Sequence, residues 1–101
     1  MAARIRHGAG SGQDAATLLA QLAADGWLNG YAWGNGPGEH YGEHSHHFDK
    51  ALYCVSGTVV FRTADGDVAL GPGDRLDLDR NTLHSAQVGP EGVRCIEAHR
   101  P

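Results

Sequence analysis

From Trp27 onward, turn-forming clusters recur every few residues: GNGPG, SG, ADGD, GPGD, RNT and GPEG. The chain carries 15 glycines in 101 residues, and such density favours many tight turns over long helices. The segments between the clusters are short and rich in β-branched and aromatic residues: WLNGYAW, KALYCV, TVVFRT, DVAL, LHSAQV and VRCIEAHR. RLDLD alternates apolar and polar residues, as a half-buried strand does, and HYGEHSHHF continues extended. The Asp-Gly of ADGD predicts a hairpin between TVVFRT and DVAL. About eight short strands are expected, forming a small antiparallel barrel or sandwich.

One segment has a different period. In SGQDAATLLAQLAADG, Leu18, Leu19 and Leu22 share a helical face, with Ala15 adjoining. Ser11 or Asp14 can cap the start, and Gly26 stands where a left-handed C-terminal cap belongs. A helix this short needs a surface to pack on. The expected organisation is an arm over residues 1–13, with RIRH as a possible edge strand, a packing helix over 14–26, and a barrel over 27–101, all in one domain.

The formal charge is −4 and no basic stripe exists, which argues against nucleic acid as a partner. No apolar run approaches the roughly 18 residues of a membrane span. The two N-terminal arginines are not followed by the apolar stretch of a secretory signal, so a cytoplasmic chain is expected. Cys54 and Cys95 have no metal-finger or CxxC spacing. Their apolar contexts, YCV and RCI, suggest buried free thiols, with a disulfide or redox role as the alternative.

The histidines suggest chemistry. On a strand, side chains alternate, so His44 and His46 of HSHHF point the same way, roughly 7 Å apart along the chain. His47 points oppositely. Phe48, Lys50, Leu52 and Cys54 share the parity of His44 and His46 if no bulge intervenes. His84, in LHSAQV, is a distant third imidazole.

An HxH on one strand and a later strand histidine, with Pro-Gly turns between, resemble the cupin superfamily. Its first motif runs Gly, five residues, His-x-His, three or four residues, Glu, six residues, Gly; the matching positions are Gly38, His44, His46, Lys50 and Gly57. Its second runs Gly, five residues, Pro-x-Gly, two residues, His, three residues, Asn; here these are Gly73, Asp79-Arg80-Asn81, His84 and Val88. The resemblance covers roughly residues 30–98. It implies an all-β double-stranded β-helix, or jelly-roll, preceded by one short helix. The departures are chemical. Lys50 replaces the ligand Glu, and an ammonium has no lone pair for an ion. Asn81 is a tolerable substitute for the turn glycine because Asn accepts positive φ.

The resemblance further implies a divalent transition metal (Zn, Fe, Ni, Cu or Mn) on His44, His46 and His84. Three-histidine centres lacking the carboxylate occur in the superfamily. Lys50 would be the catalytic residue, orienting a carboxylate or enolate or moving a proton. His40, Cys54 and Phe48 are further candidates for the site or its walls. If no metal binds, Lys50 would pair with Asp49, Glu43 or an acid from another strand. His7, His47 and His99 are not expected to take part, and the acid pairs Asp65/Asp67 and Asp77/Asp79 read as solvated. No nucleophile elbow, phosphate loop or dinucleotide fingerprint is present. The expected function is a metal-dependent oxygenase, isomerase or lyase acting on a small molecule. The alternative is a non-catalytic module binding a small molecule or metal. A homodimer is the expected assembly.

Overall fold

A computed structural model describes residues 2–101; residue 1 of the expected arm lies outside them. The order is β1 (Ala3–Arg6), α1 (Ala15–Ala24), β2 (Leu28–Asn35), β3 (His40–His44), β4 (Asp49–Thr63), β5 (Gly66–Leu70), β6 (Arg75–Leu78) and β7 (His84–Arg100). All the strand pairs are antiparallel. Two strands are much longer than expected. KALYCV and TVVFRT are one strand, β4, and LHSAQV and VRCIEAHR are one strand, β7.

The reason lies in the glycines. SG and GPEG mark bends within strands, not reversals. The β4–β7 register shifts between Cys54 and Ser56 and again between Gly57 and Val59. Gly57 has φ of 73°, and a Cβ there would lie 2.0 Å from the Gly92 carbonyl oxygen. Only glycine allows the two backbones to cross so closely. Each long strand thus serves two layers of one sheet. Its outer layer runs β1-β6-β4-β7-β2, while past the bend β5 pairs with β4 and β3 with β7. The ADGD hairpin forms as expected, but Thr63 pairs with Gly66, which centres the turn on Ala64-Asp65.

The jelly-roll interior holds Leu52, Cys54, Val59, Phe61, Leu70, Leu76, Ala86, Val88, Val93 and Cys95. On the outside of the same strands, Ala51, Tyr53, Ile96 and Ala98 form a second apolar cluster under Leu18, Leu22 and Trp27. Helix α1 covers that face. Asp14 caps it, accepting from the Thr17 amide at 2.8 Å. At its other end the Gly26 and Trp27 amides donate to the carbonyls of Ala23 and Leu22, a Schellman closure with Gly26 left-handed at φ 88°. Trp27 then packs back on the Leu22 cluster, with the Arg100 guanidinium 4.0 Å from its ring centroid.

The N-terminal segment joins the sheet, with Ala3–Arg6 pairing Leu78–Arg75. Two acids read as solvated hold it there. Asp79 takes both arms of Arg4, at 2.9 and 3.1 Å, and half-buried Asp77 pairs with Arg75 at 2.7 Å and Arg6 at 3.7 Å. No helix among the described residues is long and apolar enough to cross a membrane.

Candidate metal centre and ligand cavity

Strand β3 delivers His44, and the start of β7 delivers His84 directly opposite it. His46 is not on a strand. It lies in the connection from β3 to β4, held because the Asn81 amide donates to its carbonyl oxygen at 2.7 Å. Asn81 has φ of 62°, so the Asn in place of the turn glycine does adopt the left-handed backbone. The expected convergence of His44 and His46 therefore comes from a loop clamped by the second motif. His47 faces away, with its Nδ1 3.3 Å from the Asn81 Oδ1.

His44, His46 and His84 come together, with one ring nitrogen of each within 4.8 Å of the others. The ring centroids are 4.3 to 5.4 Å apart. Nδ1 of His44 donates to the Gly42 carbonyl at 2.7 Å, and Nδ1 of His84 to the Thr82 carbonyl at 2.8 Å. A carbonyl only accepts, so both rings carry a proton on Nδ1, which leaves Nε2 as the nitrogen that can face an ion. Metal-binding histidines are oriented in this way. Burial, then the charges of Lys50, His44 and His84, push His46 down to about 4. Burial and the charges of His44 and Lys50 also lower His84, outweighing the Thr82 hydrogen bond. Both are neutral at pH 7. Three converging imidazoles, two of them held neutral, fit a divalent transition metal.

Beside them is a cavity of about 290 Å³ lined by His44, His84, Lys50, Leu52, Glu97 and the aromatic rings of Tyr31, Trp33, Tyr41 and Phe61, among others. Its deepest charge is Glu97, only 3% exposed. Oε1 accepts from the Trp33 indole at 2.7 Å; Oε2 accepts from the Tyr31 hydroxyl at 2.8 Å and His99 Nε2 at 2.9 Å. Lys50 Nζ stands 3.4 Å from the same Oε2. Burial raises the Glu97 carboxyl, but Lys50, His99, Tyr31 and Trp33 together bring it below its ordinary value. The same burial and hydrogen bond push the Tyr31 phenol up, so it stays a donor.

Lys50 thus pairs with an acid from another strand. Asp49 binds Arg80 instead, and Glu43 is exposed. The ammonium in the slot of the missing carboxylate is offset by a carboxylate one strand over. This removes much of the charge objection to a cation nearby.

The remaining candidates are placed as follows. His40 is exposed, opposite Gln87, and outside the histidine trio. Phe48 is half-buried and stacks on His99, with ring centroids 4.1 Å apart at 27°. Cys54 is fully buried in the interior cluster and is not among the cavity-lining residues. Glu97 and His99 were not recognised as site residues from sequence. The signal was available: in VRCIEAHR, Val93, Cys95, Glu97 and His99 alternate onto one face, the face that also holds Leu52 and Cys54.

Residues 31–97 match the AraC-like ligand binding domain family. The chain belongs to this family. Its fold is that of a small single-domain cupin. A cupin superfamily protein from Desulfitobacterium hafniense superposes with a TM-score of 0.66 at 18% identity, covering 73% of this chain and 67% of that one. An RmlC-like cupin from Shewanella frigidimarina gives 0.66 at 21% identity, covering 74% and 67%. A structure from work on the DMSP lyases RdDddP and RnDddQII gives 0.62 at 27% identity, covering 69% of this chain but only 35% of that chain. No curated protein matches the chain in sequence.

Proposed function

We propose that this cupin holds a divalent transition metal on His44, His46 and His84 and acts on a small anionic molecule seated in the adjoining cavity. The observation that carries the reading is the convergence of the trio: one ring nitrogen of each lies within 4.8 Å of the others, and Nδ1 of His44 and of His84 is tied to a backbone carbonyl. The bound ion would supply Lewis acidity to an oxygen of the ligand.

The protein's own contribution is positional. Glu97, gripped by Tyr31, Trp33 and His99, fixes the Lys50 ammonium at the cavity wall. An ammonium has three donors, and its charge is paired with Glu97 at 3.4 Å. Its donors are available to hold a carboxylate or enolate oxygen in the cavity it lines, and Lys50 Nζ is the atom placed to give or take a proton. The rings of Trp33, Tyr41 and Phe61 exclude water around the apolar part of the ligand. Oxygenase, isomerase and lyase chemistry all suit such a site. The likeness to the DMSP lyases supports the lyase type. The family's description as a ligand binding domain supports a second reading, a module that binds the same class of molecule without converting it.

Elemental analysis of protein purified without a nickel column tests the metal. About one equivalent is expected, with loss in His44→Ala and His84→Ala. Substoichiometric metal unaffected by either change would sink the reading. With metal established, Lys50→Met separates the two functions. Both readings predict weaker binding of small carboxylates, and only the enzyme reading predicts a turnover to lose.

A further inference from the structure

Cys54 and Cys95 are directly opposite each other on β4 and β7, both are fully buried, and both side chains belong to the interior cluster. Their pairing type follows from the backbone. The Cys54 amide donates to the Asp74 carbonyl at 3.0 Å, and its carbonyl accepts from the Gly73 amide at 2.8 Å. Both polar groups therefore point away from β7. Cys54 and Cys95 form a non-hydrogen-bonded pair, the close kind, with Cα atoms about 4.5 Å apart in antiparallel sheets. Disulfides span Cα separations of about 4.4 to 6.8 Å. The register thus sets two free thiols on one face at bonding reach.

We propose that Cys54 and Cys95 form a site of reversible oxidation, closing a cross-strand disulfide under the floor of the ligand cavity. Leu52 and Glu97 line that cavity, and each is two residues from one of the cysteines on the same strand face. The cavity is the route by which a small oxidant such as hydrogen peroxide comes within one side-chain layer of the sulfurs. The Cys54 sulfur lies 3.5 Å from the Ser56 and Gly57 carbonyl oxygens. Its neighbour Cys95 holds the Cys54 thiol below its ordinary value, while Cys54 and burial push Cys95 up, which makes Cys54 the sulfur assigned the first step.

The steps balance. The Cys54 thiolate attacks one peroxide oxygen and the O–O bond breaks. The departing hydroxide takes a proton and leaves as water, and Cys54 becomes a sulfenic acid. The Cys95 sulfur then attacks the Cys54 sulfur, the S–O bond breaks, and the oxygen leaves as a second water with the Cys95 proton. Two thiols lose two electrons in all, and one peroxide is reduced to two waters. A small dithiol reverses the closure by exchange. The bond would join the two strands that carry Lys50 and Glu97.

The test exposes the purified full chain to hydrogen peroxide and records intact mass, titratable thiols after denaturation, and a non-reducing peptide map. The expected result is loss of two hydrogen atoms in mass, loss of both thiols, a single Cys54–Cys95 cross-linked peptide, and full reversal by dithiothreitol. The melting temperature should rise by roughly 10 °C or more, because the link closes the long Val55–Arg94 loop. In Cys95→Ser, peroxide should leave a dimedone-trappable sulfenic acid on Cys54. Two thiols still titratable in the parent, oxygen atoms added without hydrogen loss, or cross-links between chains would each overturn the proposal. The parent measurement stands alone if the variant does not fold.

Discussion

The same two strands present opposite chemistry on their two faces. Outward, Ala51, Tyr53, Ile96 and Ala98 meet the leucines of α1 in a cluster dominated by apolar side chains. Inward, one residue out of phase, Lys50 and Glu97 form an ion pair with side chains 11% and 3% exposed. The outer face gains its stability without direction, through area removed from water. The inner face gains little net stability from its charges, because desolvation offsets their attraction. It is a polar network held in place by named donors, and every buried side-chain nitrogen and oxygen among the described residues has a partner. The outer cluster is apolar throughout, whereas the inner face changes from the apolar core around Cys54 and Cys95 to a charged pair at the cavity.

The inner face is the easier to break by one change. Glu97→Ala leaves the Lys50 ammonium buried without its counter-charge and removes the acceptor for Tyr31, Trp33 and His99. The expected loss is about 3–5 kcal/mol, measured by urea unfolding. The double change Lys50→Met with Glu97→Leu should recover the part due to the stranded charge, since apolar replacement of a buried ion pair is often neutral, but not the part due to the donors of Tyr31, Trp33 and His99. It should also abolish binding of small carboxylates. If the double variant were as unstable as the single, the pair would be a stabilising element and the contrast between the faces would fail.

On the outer face, Leu22→Ala removes a side chain that is 1% exposed and touches the sheet cluster. A cost of about 3 kcal/mol is expected, within the usual range of about 2–5. Metal content should be unchanged, because α1 packs on the face away from the histidines. Loss of metal together with stability would show that the two faces are coupled.

What could be read in advance divides along a similar line. The period of α1, the ADGD hairpin and the glycine and histidine spacing were local signals, and each located its element. One inference failed because glycine has two roles in a strand. SG and GPEG were read as reversals, but glycine also marks the bulge where a strand changes layer, and only the β4–β7 crossing distinguishes the two. An acid from another strand was among the partners expected for Lys50, but which one was not legible, because Glu97 is on a strand about fifty residues away. Alternation on β7 puts Glu97 in phase with Cys95 on the inward face, but no sequence rule gives the register that sets it beside Lys50. His46 does converge on His44, but a loop held by the Asn81 amide produces this and not the strand parity from which it was expected.

Acid should weaken the site before it weakens the outer cluster. His46 is pushed down to about 4, so the folded chain resists the proton that the unfolded chain takes near 6.5. A depressed histidine contributes stability above the unfolded value that is lost as pH falls from about 6.5 toward about 4. Discounted for its partial exposure, the effect is about 1 kcal/mol. Below this window the depressed Glu97 adds a further loss, since its contribution is present above the unfolded carboxylate value and vanishes as it protonates. Thermal melts of metal-free protein from pH 7 to 4 should fall, and His46→Gln should flatten the slope across the histidine window. An unchanged slope would assign the acid sensitivity elsewhere.

The smallest effect is expected where charge meets solvent. Arg4 and Asp79 join β1 to the turn that carries Asn81, in a two-armed pair whose side chains are 52% and 44% exposed. Exposed pairs contribute only about 0.2–1 kcal/mol and are screened by salt. Asp79→Ala should therefore cost less than 1 kcal/mol, and the cost should shrink at about 1 M salt. It leaves the backbone bond from the Asp79 amide to the Ala2 carbonyl, and the Asn81 clamp on His46, intact. Metal content should thus match the parent. A drop in metal content with little loss of stability would mean that the N-terminal strand positions the histidine loop through this pair, and the site would then reach beyond the inner face to the sheet edge.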